Sequence, residues 1–132
     1  MAEWKLSKYA QIAIGESGLN LRAKMEYYQK AIDVLMEALK NPIHPYWKSV
    51  ILSFIGDINR DYIKDKGDAV NAYKALIVVN GCDEKVKFVY QTMVQIQELG
   101  GSLDFMQDYR EGKPAKLAKQ YLFLVEPQKE QK

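Results

Sequence analysis

The stretch YYQKAIDVLMEALKNP (residues 27–42) places alanine at seven-residue spacing among larger apolar residues and ends in an Asn-Pro pair. Ala31 and Ala38 lie two helical turns apart on one face, with Leu35 between them. Small residues on that face let a second helix backbone approach closely. Pro42 cannot continue a helix. The stretch therefore predicts a helix that packs closely against another helix before the chain turns back.

The same periodicity extends over residues 19–40. Apolar residues alternate at spacings of four and three, and a second stripe runs beside the first. A face this wide indicates two helical neighbours rather than one. The first stripe consists of Leu21, Met25, Tyr28, Ile32, Leu35 and Leu39.

Helical patterns continue between glycine and proline marks along the rest of the chain. Short connections make successive helices antiparallel, and no segment reads as a convincing β-hairpin. The β-branched run at residues 77–79 resembles a strand, but it has no second strand to pair with. We therefore predict an all-α fold with six or seven helices. The predicted segments are 2–14, 19–40, 45–66, 68–80, 84–99, 103–110 and 114–125.

The composition is that of a soluble globular protein. The chain has 132 residues, of which 48% are hydrophobic and 27% charged, and a net charge of +2. This length predicts a single domain, over residues 1–127, with a solvated tail at 128–132. The single cysteine permits no internal disulfide. The start of the chain lacks the apolar core of a signal peptide, and no apolar run could span a membrane, so we predict a cytoplasmic protein.

Three segments share a pattern in which alanine, a leucine four residues later and a medium residue three further on precede a proline or glycine. Each hairpin alone leaves an apolar face uncovered, and stacking of hairpins covers it. The three sets are Ala31, Leu35 and Ala38; Ala72, Leu76 and Val79; and Ala118, Leu122 and Val125.

Two segments resemble the tetratricopeptide repeat (TPR) family. KAIDVLMEALKNP (30–42) looks like a second helix and exit turn, and FIGDINRDYIKDKGDAVNAYKAL (54–76) looks like a first helix, a Gly-Asp turn and a second helix. The resemblance implies antiparallel helical hairpins stacked as a short right-handed TPR-like α-solenoid. The repeated alanines lie 41 and 46 residues apart, whereas the family repeats every 34. The repeat is therefore degenerate or extended, and another helical-hairpin family remains an alternative.

The resemblance also implies a concave groove lined by the first helix of each hairpin, here residues 45–65 and 84–98. We predict a non-enzymatic protein-protein interaction module, a scaffold or adaptor that binds a peptide or partner helix. Homo-oligomerisation could cover the ends of so short a stack. The candidate partner-binding residues are Asn59, Tyr62, Lys87, Gln91 and Gln95.

Residue types that carry catalysis are sparse. His44 and Cys82 are the only histidine and cysteine, and we interpret them as a turn residue and a packed residue at a helix start. A helix start can lower a thiol pKa, which would make Cys82 open to modification. The sequence predicts no catalytic residue, cofactor or metal site, because it lacks clustered zinc ligands and a phosphate loop. A regulatory or structural subunit of an enzyme complex remains an alternative.

Basic residues gather near the end of the chain. Lys113, Lys116 and Lys119 are three apart and would share a face. Such a stripe could contact phosphates, so a nucleic-acid or acidic-ligand binder is a further alternative. Interspersed acids such as Asp108 and Glu111 favour a solvated face, and we predict a protein or peptide partner rather than nucleic acid or a membrane.

Overall fold

The computed structural model describes residues 21–113 and 116–125, and within these ranges every regular element is helical. The all-α prediction is confirmed for this part of the chain. A π-helical turn, Asn59–Ile63, continues the helix Pro45–Ile58. The predicted helix 2–14 and the predicted tail 128–132 lie outside the described residues. The helices are α1 (Leu21–Leu39), α2 (Pro45–Ile58), α3 (Lys66–Val79), α4 (Lys87–Glu98), α5 (Asp104–Arg110) and a 3-10 helix (Lys119–Leu124).

The chain divides into two compact units, one up to Ala69 and one from Val70 onward. The division falls within helix α3. Each unit has its own buried apolar residues. The single domain over residues 1–127 stays a prediction.

Helices α1 and α2 form the core of the first unit. The two helices are in contact, and their apolar faces supply its buried side chains because both sequences place them three and four residues apart. Ala31 and Leu35 are buried, as the repeat pattern predicts. The other buried apolar residues of the pair are Tyr28, Ile32, Leu39, Ile51, Leu52, Ile55 and Ile58.

An aromatic stack shows the direction of the two helices. Tyr28, in the first half of α1, lies against Tyr62 beyond the end of α2, with ring centroids 5.1 Å apart and planes inclined by 20°. Since the early part of one helix meets the late part of the other, α1 and α2 run antiparallel. The antiparallel direction predicted for successive helices is therefore present in this pair.

Helix α2 begins where the sequence predicts, but it is rotated about its axis relative to the predicted orientation of its apolar face. His44 is its N-cap, with Nδ1 accepting a hydrogen bond of 3.0 Å from the Tyr46 amide, and Pro45 is the first helical residue. The apolar spacing of Trp47 with Ile51 predicts that it faces inward, but Trp47 is 47% exposed and forms an edge-to-face pair with Tyr46. Burial of Leu52 and its neighbours turns the first-turn aromatic residues outward.

The helical segment formed by α2 and its π-helical turn ends at Lys64, which has a left-handed backbone conformation, and not at Gly67. Lys64 has φ 68°, and the Asp65 amide donates to the Asn59 carbonyl at 2.8 Å, which closes the π-helical turn. Helix α3 then starts at Lys66, so Gly67 lies inside it. As a helix-breaking residue after the apolar pattern of 45–66, Gly67 predicts the end of that helix; this was wrong, because Lys64 occupies the conformation that usually favours glycine.

All three α-helices of the second unit end in the same glycine cap. In each, a glycine with φ of 68° to 83° follows the last turn and two amides donate back to its carbonyls. In α3, for example, the Cys82 amide donates to the Ile77 carbonyl at 2.9 Å. This is the Schellman arrangement, which satisfies carbonyls that the helix leaves open. The glycines are Gly81, Gly100 and Gly112.

The helices of the second unit pack closely after these turns. A Cβ atom added at Gly101 would lie 2.8 Å from Cγ2 of Ile96 and 3.1 Å from Cγ1 of Val70, so any side chain there would displace its neighbours where α4 ends beside α3. Nζ of Lys74 lies 5.6 Å from the centroid of the Phe105 ring, which links α3 with α5. The segment from Val70 to Glu111 therefore forms a packed group of three helices.

The third predicted repeat is not an α-helix. Ala118 is extended, with φ −56° and ψ 149°, and only Lys119–Leu124 are helical, in 3-10 geometry. With three residues per turn, Ala118 and Leu122 no longer share a face. Short helical segments are only marginally stable as α-helices even when they contain good helix formers. The predicted helix 114–125 was thus wrong over the described residues 116–118, whereas the alanines of the first two repeats, Ala31 and Ala72, are buried.

The Tyr28–Tyr62 stack should contribute measurably to the first unit. We expect Tyr62→Ala to lower the free energy of unfolding by about 1–2 kcal/mol, and Tyr62→Phe, which keeps the ring, by much less. A double-mutant cycle with Tyr28→Ala, measured by urea denaturation, should give a coupling energy of about 0.5–1.5 kcal/mol. Purely additive effects would show that the rings do not interact.

Lys64 has a left-handed backbone conformation that is costly for lysine, so a substitution there should stabilise the protein. We expect Lys64→Gly to raise the free energy of unfolding by about 1 kcal/mol, because glycine adopts the left-handed conformation without steric cost. The matched control is Lys30→Gly, at an exposed position within α1, which should lower it by about 1 kcal/mol. Denaturation followed by circular dichroism distinguishes them, and equal losses in both variants would contradict the assigned backbone conformation.

Candidate functional site on helix α4

Helix α4 buries one narrow stripe. Val89, Thr92 and Ile96 are its buried residues, spaced three and four apart. Thr92 is tolerated there because its hydroxyl donates to the Phe88 carbonyl at 2.7 Å, so this buried hydroxyl has a partner. The stripe fixes the rotation of the helix.

The opposite side of α4 is exposed along its whole length. Tyr90 is 58% and Val94 37% exposed, one helical turn apart near the middle of the helix. Polar and charged residues flank them on both sides. We call this surface the α4 face, and it consists of Lys87, Tyr90, Gln91, Val94, Gln97 and Glu98.

Three of the predicted partner-binding residues lie on α4. Lys87 and Gln91 belong to the α4 face, and Gln95 is half-buried at its edge. The apolar spacing of Tyr90 with Val86 and Met93 predicts a buried position, and this was wrong, since Tyr90 is 58% exposed. The sequence contains the correct buried stripe, since Val89, Thr92 and Ile96 are spaced three and four apart. Thr92 was not assigned to the core because it is polar.

The other two predicted residues lie in the first unit. Asn59 is only 5% exposed, and its side-chain amide donates to the Ile55 carbonyl at 3.1 Å, where it supports the π-helical turn. Tyr62 is partly exposed, with its ring stacked on Tyr28. Asn59 therefore has a structural partner, and Tyr62 is the more accessible of the pair.

The start of α4 differs from the prediction. Asp83 directly precedes the predicted helix 84–99 and is a residue type that caps helices, but its carboxylate accepts a hydrogen bond of 3.0 Å from the Lys85 amide within a turn. The helix begins three residues later than predicted, at Lys87, after Val86, whose side chain forms no capping hydrogen bond. The first turn contains no acidic residue and the last turn no basic one.

Cys82 lies just after the end of α3 rather than at a helix start. It has φ 53° and is 4% exposed. Burial raises the pKa of its thiol to about 11, although the positive charge of Arg110 acts in the opposite direction. The expectation of a lowered pKa was wrong, because the residue caps a carbonyl end and lacks a helix N-terminus beside it. The neutral thiol is a poor nucleophile at physiological pH.

Metal binding has no support in the described part of the chain. There, no group of three or more histidine, cysteine, aspartate or glutamate side chains lies close enough to hold a metal ion. His44 acts locally, as the cap of α2.

The predicted basic stripe does not form a helical face. Lys113 precedes the 3-10 helix and pairs with Asp108 at 3.6 Å and Glu111 at 2.9 Å. The hydrogen bond that Lys113 donates to the Glu111 carboxylate raises the pKa of Lys113. Lys116 lies outside any helix and Lys119 starts the 3-10 helix, so the three lysines lack common helical spacing.

No protein-family model, curated protein or solved structure matches the chain. The tetratricopeptide-repeat resemblance therefore stays a prediction. Among the described helices, none combines the length and apolar character that crossing a membrane requires.

Burial of the Cys82 thiol should make stability depend on alkaline pH. The unfolded chain loses this proton near pH 9 and the folded protein near pH 11, so the contribution is complete below pH 9 and is lost as pH rises through 11. Relative to Cys82→Ala, the wild-type free energy of unfolding should fall by on the order of 2 kcal/mol between pH 8 and 11. Denaturation at pH values across this range measures the free energy of unfolding of both proteins. Free energies that change with pH in parallel in the wild type and Cys82→Ala would contradict the prediction.

Proposed function

We propose that this protein is a non-enzymatic protein-protein interaction module whose α4 face receives a helix or extended peptide of a partner. The observation that carries the proposal is the exposure of Tyr90 and Val94 together at the centre of α4. Tyrosine is enriched at protein interfaces because its ring contributes apolar area while its hydroxyl keeps a polar contact. Tyr90 and Val94 can therefore anchor apolar side chains of a partner.

The distribution of polarity on the α4 face supports the same function. Tyr90 and Val94 occupy the centre, Gln91 lies beside them, and Lys87 and Glu98 lie at the two ends. Protein interfaces commonly have such an apolar centre and a polar rim. A partner helix would place its apolar residues against Tyr90 and Val94, in the helix-in-groove mode of recognition.

The proposal includes a cytoplasmic scaffold or adaptor role and a TPR-like stack of hairpins. Its support is the burial of the alanine and leucine in the first two repeats, Ala31 with Leu35 and Ala72 with Leu76. The partly exposed Tyr62 offers a further contact. The nucleic-acid alternative has less support, because its basic residues do not line one helical face.

A site-specific crosslink tests the proposal. A photoreactive amino acid in place of Gln91, in full-length protein produced in its native cells, should form a discrete crosslinked product. The same amino acid in place of Gln107, exposed on α5, should not. Adding Val94→Glu should abolish the Gln91 product, because a buried unpaired charge disrupts an apolar contact.

The mass of the product identifies the kind of partner. Equal crosslinking at Gln91 and Gln107, or a Gln91 product that survives Val94→Glu, would overturn the α4 face as the binding surface. Circular dichroism of each variant confirms that a lost product does not reflect unfolding.

A further inference from the structure

The charges at the ends of α4 are placed against the preference of the helix itself. Lys87 is its first residue and Glu98 its last, so the positive charge lies at the positive end of the helix dipole and the negative charge at the negative end. Over the described residues, neither side chain forms an ion pair that would offset this. The arrangement weakens an isolated helix slightly.

A second, antiparallel copy of α4 reverses both effects. Lys87 would then lie beside the carbonyl end of the neighbouring helix, and Glu98 beside its amide end. The spacing of four, three and four along Lys87, Gln91, Val94 and Glu98 is that of the contact seam of paired helices. The face is thus complementary to itself under a two-fold rotation.

The register follows from the same spacing. In an antiparallel pair centred between Gln91 and Val94, Lys87 of one copy is opposite Glu98 of the other, and Gln91 is opposite Val94. Tyr90 lies one turn before Val94 and covers the side of this apolar centre. Each copy contributes both halves of every contact, so two ion pairs form.

We infer that the α4 face is the interface of a homodimer in which two copies pair antiparallel, with Lys87 opposite the second copy's Glu98. The inference rests on the proposed function and names a second copy of this chain as the partner. A helix of 12 residues is about 18 Å long. The contact is smaller than a standard interface, so we expect a dissociation constant on the order of 100 µM.

Sedimentation equilibrium of the purified full-length protein, from about 10 µM to 1 mM, measures this association. Lys87→Glu alone should weaken it about 3- to 10-fold, as should Glu98→Lys alone, because each places like charges opposite one another. The double variant Lys87→Glu/Glu98→Lys should restore it. Each substitution suits the helix dipole better than the wild-type residue, so weaker association would not be due to fraying of α4.

Matched controls use residues of the same type outside the face. Tyr90→Glu should weaken association at least about 10-fold, whereas Tyr109→Glu, at an exposed tyrosine of α5, should leave it unchanged. Lys85→Glu makes the same charge change as Lys87→Glu at an exposed position before the helix and should have no effect.

Results that differ from these expectations overturn the inference. A monomer at every concentration excludes the homodimer, and a dimer indifferent to Tyr90→Glu uses another surface. A dimer weakened by both single charge reversals but not restored by the double variant excludes the antiparallel register. A monomer that still crosslinks to a different protein through Gln91 would refute the homodimer and leave the proposed function intact. A monomer that also forms no crosslink through Gln91 would refute both the homodimer and the proposed function.

Discussion

Burial of Val89, Thr92 and Ile96 fixes the rotation of helix α4 about its axis, and the candidate surface depends on that rotation. An α-helix presents one face at a time, so burying this stripe leaves Tyr90 and Val94 on the solvent side. Thr92 can join the stripe because its hydroxyl bonds to a carbonyl of its own helix. A local hydrogen bond thus determines which large residues are available for contact.

The helix ends position this surface. In the second unit, glycine caps at Gly81 and Gly100 turn the chain sharply before and after α4, and the absence of a side chain at Gly101 lets the end of α4 approach Val70. The first unit reaches a similar turn with Lys64, which pays a steric cost that glycine avoids. Short turns of this kind hold neighbouring helices in contact.

Particular elements show how far sequence reasoning reaches. The helix around Ala31 and Leu35 was predicted within two residues at its described end, because an uninterrupted apolar stripe and Pro42 leave little choice. The rotation of α2 and α4 was not, since Trp47 and Tyr90 are apolar enough to be assigned inward. The segment around Ala118 repeats the residue pattern but not the α-helical geometry, because Lys119–Leu124 form a 3-10 helix, in which residues four apart do not share a face. Of the candidate site, Lys87, Gln91 and the half-buried Gln95 were predicted, whereas Tyr90 and Val94 were not.

The sequence by itself determined the all-α class of the described chain, the positions of most helices and the His44-Pro45 start of α2. These depend on local spacing, capping and chain-breaking residues, which act within a few positions of one another. Only the tertiary structure decided which aromatic residues are exposed and that the Cys82 thiol is buried. Exposure and pKa depend on residues distant in sequence that pack against each side chain, and hydrophobicity alone cannot distinguish a buried tyrosine from one that faces solvent.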